Sequence, residues 1–218
     1  MNWLTGVFRF FLIFAILPLF ASHVAGVFNQ NKMREENTCK YWFPRLVNEP
    51  GVRMEGYAFF NPGMQPATLR FAAYDATGSL VGTPAERAWN AGHQAAYQAD
   101  GLLGMMDVAD GWVEVTANQE ELSGMFLSQL YSPELGMDGA AVVLSGTTEG
   151  VFSRVAVGAG YETEILLANP AVDVVAVTLT LVGNGPIDEL GTWILPSRGM
   201  VKLKLGELAP ANPGPYEG

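Results

Sequence analysis

YAFFNPGM, residues 57–64, and ILLANPAV, residues 165–172, write the same pattern twice on one chain, 108 positions apart. Each is an apolar run that halts at Asn-Pro. Proline has no N–H to give a ladder and asparagine favours the turn that begins there, so each stretch predicts a β-strand and its terminator. Carried onward, the offset lays TLRFAAY (68–74) over AVTLTLV (176–182). Leu69, Phe71 and Ala73 then match Val177, Leu179 and Leu181 on one face, while Arg70 and Ala72 match Thr178 and Thr180 on the other. Such alternation marks a strand with one buried side. Upstream, FPRL (43–46) meets FSRV (152–155) after a slip of one residue, which a single insertion between strands explains.

Downstream the register drifts as loops differ in length. Trp89 aligns with Trp193 at an offset of 104, and Ala95, Tyr97 and Ala99 align with Val201, Leu203 and Leu205 at 106. The second alignment decides an ambiguous segment. AERAWNAGHQAAYQADGLL (85–103) alone reads as an Ala-rich helix with Trp89, His93 and Tyr97 four apart. Its counterpart, WILPSRGMVKLKL (193–205), holds Pro196 and Gly199 and alternates from Val201 to Leu205, which a helix tolerates badly. Both copies are therefore expected to be strands. QEELSGMFLSQL (119–130) also fits a helical stripe, but the strand pattern of DGWVEVTA before it favours a hairpin turning at Asn118–Glu121.

The expected fold is all-β: two tandem antiparallel β-sandwich repeats, the second incomplete, after an N-terminal signal peptide. Repeat one covers 40–132, a linker 133–150, repeat two 151–208, and a Pro/Gly-rich tail, APANPGPYEG (209–218), is expected to be disordered. Repeat two would need its own Gly-Trp hairpin after residue 215. Without one, a sandwich exposes apolar core and an open sheet edge. A truncated product, closure by Ala141–Ser145, or a strand from another molecule would each account for that.

Residues 1–26 carry one charged side chain, Arg9, then an unbroken apolar stretch from Phe10 to Ala21. That is the layout of a secretory signal. The competing reading is an uncleaved anchor, because Val7–Gly26 just reaches the ~20 residues that span a bilayer. Cleavage is favoured because polar residues from Ser22 end the run early. Either way the rest of the chain is expected outside the cytoplasm, secreted, periplasmic or at a bacterial surface, with membrane contact only through that segment if it is kept. The chain has 12 Lys and Arg against 22 Asp and Glu, a net charge of −10. Such a charge repels phosphate backbones, so nucleic acid is not an expected partner. Cys39 is the lone cysteine, so no internal disulfide forms and the fold must rest on its cores.

Phe43-Pro44, Asn61-Pro62, Asp75 to Gly78, and Gly111-Trp112 to Val115 follow one another over about a hundred residues. In that order they resemble the Ig-like β-sandwich tandem repeats of secreted and surface proteins of environmental bacteria. The second copy keeps Phe152, Asn169-Pro170 and the alternating strand, with Ser153 in place of proline. The resemblance implies architecture and export. It implies no activity and supplies no catalytic residue.

Chemistry is sparsely written. Outside the signal the sole histidine is His93, expected in a loop, and one His with one distant Cys makes a triad or zinc site improbable. Glu114, Glu120 and Glu121 around one hairpin, or Glu162 and Glu164 about one strand, are the carboxylate pairs that glycoside hydrolysis would require; hairpin carboxylates are usually solvated. Asp100, Asp107 and Asp110 resemble good turn chemistry more than a calcium loop. No catalytic residue, metal ligand or cofactor is assigned. Trp42, Trp89, Trp112 and Trp193 raise sugar stacking, and the ligand-binding candidates are Trp89 and Trp193, since Trp42 and Trp112 sit where a core would claim them. The expected function is a non-catalytic structural, adhesive or protein-interaction role, with an extracellular protein or glycan as partner; the alternative is a carbohydrate-binding module.

Overall fold

A computed structural model of the chain describes residues 38–104, 107–131, 136–144, 146–152, 155, 163–181 and 188–208. The signal segment and the C-terminal tail lie outside the described residues. The chain is all-β, with antiparallel sheets. Its first eight strands are β1 (Cys39–Glu49), β2 (Arg53–Phe60), β3 (Ala67–Asp75), β4 (Leu80–Trp89), β5 (Gln94–Gln98), β6 (Val108–Ala117), β7 (Ser123–Leu130) and β8 (Gly136–Ala141).

These strands form two layers. One runs β4-β3-β6-β1, and the other places β2 between β5 and β7, with β8 beyond β7. The layers join at a corner where β1 and β2 pair only through Asn48↔Met54 and Glu49↔Arg53. Past β8 the chain returns to the first layer, where Trp42 and Val143 exchange both backbone hydrogen bonds at 2.9 Å.

Alternation explains why the layers face each other. Tyr41 and Phe43 of β1, Tyr57 and Phe59 of β2, Leu69 and Phe71 of β3, Val113 and Val115 of β6, and Phe126 of β7 all point inward and are buried. Phe59 lies at the centre, with ring contacts to Tyr41, Phe43, Phe71 and Trp89 between 5.4 and 6.3 Å, all edge to face. That geometry sets the positive edge of one ring against the negative face of the next. The polar ends of the tyrosines are satisfied: Tyr57 donates to the Arg45 carbonyl and Tyr41 to the carbonyls of Gln119 and Glu120.

Residues 85–89 and 94–98 are strands, as the second copy argued, joined by a turn at 90–93, whereas Ala99, also expected in a strand, opens the short helix α1 (Ala99–Leu103). Residues 123–130 are also a strand, but no β6–β7 hairpin exists. β6 pairs with β1 and β3, whereas β7 pairs with β2 and β8. The connection through Asn118–Leu122 crosses from one layer to the other, held by the Tyr41 hydroxyl. Burial decided this: both strands carry an apolar stripe, and pairing them in one layer would leave the opposite layer without its fourth strand.

The remaining strands are β9 (Glu164–Ala168), β10 (Val175–Leu181), β11 (Asp188–Leu195) and β12 (Met200–Lys204), followed by helix α2 (Leu205–Leu208). β10 pairs with β11 and β9 with β12. Their inward side chains form a second core that includes Ile165, Leu167, Val177, Leu179, Leu195 and Leu203. The registers echo those of the first unit. Phe60 opposes Gln94 and Ala168 opposes Met200; Ala67 opposes Trp89 and Val175 opposes Leu195. The offset is thus 108 on β9 and β10 and 106 on β11 and β12. Leu195, not Trp193, occupies the position of Trp89, which corrects the alignment of the two tryptophans by two residues.

The Asn-Pro steps do more than end strands. Asn61 is fully buried; its Nδ2 donates to the Gln65 and Trp89 carbonyls and its Oδ1 accepts from Gly63 N–H. Asn169, also fully buried, donates to the Asp173 and Pro196 carbonyls and accepts from Ala171 N–H. Each amide ties the turn that follows its strand to a second turn farther along the chain, β4–β5 for Asn61 and β11–β12 for Asn169. Its two donors and one acceptor fit that task, which no aspartate could perform.

Candidate functional site

The aromatic candidates part company. Trp89 is 1% exposed. It packs on Phe59, Phe71 and Tyr97, and its Nε1 donates to the Phe59 carbonyl. Its ring faces are thus occupied by protein. Trp193 lies at the margin of the second core and is half-buried. His93 is exposed in the β4–β5 turn. Glu120 and Glu121 are exposed, Asp100 and Asp107 are exposed, and Glu162 lies outside the described residues. Among the described residues no three His, Cys, Asp or Glu side chains come together as a metal site would require. Cys39 is half-buried, and burial, with the nearby Glu120 charge, pushes its thiol above the ordinary range.

Polar chemistry is instead concentrated where the β9–β12 unit meets the first. The meeting surface is built by β6 from one side and by the turn between β11 and β12 from the other. On β6, alternate residues point away from the first core, and these are Trp112 and Glu114. Trp112 is fully buried and packs with Leu166, Ala168 and Met200 of the second unit. Its Nε1 donates to the Arg198 carbonyl at 2.7 Å, and its ring stacks on Tyr74 at 5.0 Å.

Glu114 is the electrostatic centre of this seam. Its Oε2 accepts from Arg198 Nη1 at 2.8 Å and from Lys40 Nζ and Trp42 Nε1 at 3.3 Å. The Arg198 guanidinium also lies 5.4 Å from the Tyr74 ring centroid, a cation–π distance. Farther along, Lys202 pairs with Asp110. Backbone contact completes the fit, because Met200 N–H donates to the Ala76 carbonyl. Gly78, at φ +88°, lets the Asp75–Ser79 turn close on Ser197; a Cβ there would collide with the Ser197 carbonyl. Asp75 shapes that turn. Burial would raise its carboxyl, but hydrogen bonds from Thr77, Ser79 and Gly78 outweigh this and hold it below the usual range.

A second polar cluster lies at the β1–β2 corner. Arg45 Nε stands 3.0 Å from Glu55 Oε1, and Arg45 Nη1 stands 3.8 Å from Glu164 Oε2 on β9. All three residues are buried. One guanidinium therefore serves a carboxylate from each unit. Desolvation dominates at Glu55: despite Arg45, Ser128 and Arg53, its carboxyl is pushed up to about 7. Burial likewise raises the Tyr57 phenol well above its ordinary value.

Sequence reasoning singled out Glu114 but expected solvent around it. Its partners lie 74, 72 and 84 residues away, and no local pattern joins them. Arg45, Glu55, Tyr74 and Arg198 drew no functional notice. The one available signal was a charged residue on the apolar face of an alternating strand, as in RMEGYAFF, where Glu55 shares a face with Tyr57 and Phe59.

No family model matches the chain, and no curated protein matches it. Among solved structures, the crystal structure of Thermotoga maritima 1070 is similar over 50% of this chain and 97% of its own, with 15% identity and a TM-score of 0.43.

Proposed function

We propose that this is an exported, non-catalytic protein built from tandem β-sandwich modules, with a structural, adhesive or protein-interaction role at or beyond a bacterial surface. The observation that carries the reading is the seam. Trp42, Trp112 and Glu114, which could have stacked a sugar or moved a proton, are engaged by the protein's own groups, and Trp89 by its core. A carboxylate that already accepts from an arginine, a lysine and an indole has little freedom to meet a substrate. The order of motifs and the apolar leader support export and modular repetition. Its partner is an extracellular protein.

The test is a broad panel of glycosidase and esterase substrates given to the purified chain, with Glu114→Gln alongside. No turnover is expected from either. Turnover that disappears in Glu114→Gln would replace this reading with an enzymatic one.

A further inference from the structure

Strand β10 has one ladder partner, β11, and among the described residues nothing hydrogen-bonds its other edge. Its counterpart in register, β3, has two. β4 lies on one edge and β6 on the other, the latter paired from Leu69↔Ala117 to Asp75↔Gly111. Coverage of the inward side chains differs accordingly. Leu69, Phe71 and Ala73 are 0%, 1% and 0% exposed, whereas Val177, Leu179 and Leu181, 108 positions on, are 7%, 9% and 9% exposed. At these positions the second core is less completely covered than the first.

The composition of this edge, set against the outer edge of β4, points the same way. β4, which among the described residues pairs only with β3, carries Pro84, Glu86 and Arg87, a left-handed Gly82 at φ +65°, and a register shift along its ladder. Proline, charge and bulges are the devices that stop an edge from recruiting another strand. β10 reads VAVTLTL and has no charge and no proline. An uncharged, β-branched strand of this kind is a template for pairing.

We infer that the edge of β10 opposite β11 is a docking site for an extended strand of a partner polypeptide with the chemistry of β6. Such a strand runs antiparallel to β10 and presents aliphatic side chains at alternate positions, as Val113, Val115 and Ala117 do over β3. Backbone hydrogen bonds supply affinity in this mode, and the alternate side chains packing beside Val177, Leu179 and Leu181 supply selectivity. This inference deepens the proposed interaction role and rests on it.

The experiment is amide hydrogen exchange of the full chain, alone and with a synthetic peptide of residues 108–118, VADGWVEVTAN. A Val115→Pro peptide, which cannot complete the ladder, is the control, and oligomeric state is followed by light scattering. Exchange at those amides of 175–181 that point away from β11 is expected to be fast in the chain alone, to slow by about tenfold or more with the peptide, and to be unmoved by the control, while β3 stays protected throughout. Slow exchange in a monomeric chain without peptide would mean the chain covers its own edge. Slow exchange that tracks a dimer would assign the edge to a second copy. Either result overturns the inference, as does fast exchange that the peptide leaves unchanged. Catalytic turnover would sink the functional reading above while leaving these exchange rates where they are, so the two failures are distinguishable.

Discussion

Glu114 and Arg198 stand 2.8 Å apart, a carboxylate on the middle of β6 and a guanidinium in the β11–β12 turn. The glutamate is largely buried, whereas Arg198 keeps about a fifth of its side chain exposed. The two members are therefore not equivalent. Without Glu114, three donors converge on nothing; without Arg198, the glutamate keeps Lys40 and Trp42. Glu114→Ala is expected to cost roughly 3 kcal/mol and Arg198→Ala roughly 1 kcal/mol. In urea melts the double variant should cost less than the sum, and strict additivity would refute the coupling.

Gly78 probes the same seam through the backbone. A side chain there meets both a left-handed φ and the Ser197 carbonyl. Gly78→Ala is expected to lower stability by about 2 kcal/mol, and to split unfolding into two phases as the β9–β12 unit loosens first. A single transition at the original midpoint would contradict this.

The buried asparagines give a paired prediction. Asn61→Ala strips hydrogen bonds from the Gln65 and Trp89 carbonyls and from Gly63 N–H. A cost of about 3 kcal/mol follows from leaving such groups unsatisfied. Asn61→Asp should be worse, because it replaces two donors with a buried charge. Asn169→Ala and Asn169→Asp should fall in the same order, as measured by thermal melts; an aspartate better tolerated than alanine would overturn the clamp.

These positions also show how far the sequence could be read. Strands β3 and β10 were legible because alternation is local, and β2 and β9 because an Asn-Pro step marks where each apolar run ends. Layering was not legible, because alternation says which side of a strand is buried and nothing about its neighbour. β6 and β7 were thus joined as a hairpin when each belongs to a different layer. The Trp89–Trp193 alignment failed for a related reason: loop lengths between β10 and β11 shift residues without altering the pattern, and ladder register alone fixed Leu195 as the counterpart. At the seam, the chemical identity of Glu114 was readable. Its burial was not, since that depends on three partners distant in the chain.

The two sugar-stacking candidates should now behave differently. Trp89→Ala removes a fully enclosed ring and is expected to cost about 4 kcal/mol, while Trp193→Ala, at the margin of the second core, should cost well under half of that. On polysaccharide affinity gels neither the wild-type chain nor Trp193→Ala is expected to be retarded. Retardation of the wild type that Trp193→Ala abolishes, with its melting temperature nearly kept, would favour the carbohydrate-binding alternative.

Glu55 makes stability depend on pH in a direction opposite to most carboxylates. Desolvation at the β1–β2 corner raises its carboxyl from 4.5 to about 7, even with Arg45 at 3.0 Å. Below pH 4.5 the folded and unfolded chains both hold this proton. Between that value and about 7 the unfolded chain has released it and the folded chain has not, so this residue's contribution to stability falls as pH rises and levels off above the window. The full difference is roughly 3 kcal/mol. Glutamine at this position cannot titrate and can still accept from Arg45. Comparing urea melts of the wild type and Glu55→Gln at the two ends of the window cancels the other carboxylates, including Asp75, whose lowered carboxyl acts the other way. The wild type should lose stability relative to Glu55→Gln on going from the acid to the alkaline end. A constant difference would show that Arg45, shared with Glu164, already holds Glu55 ionised throughout.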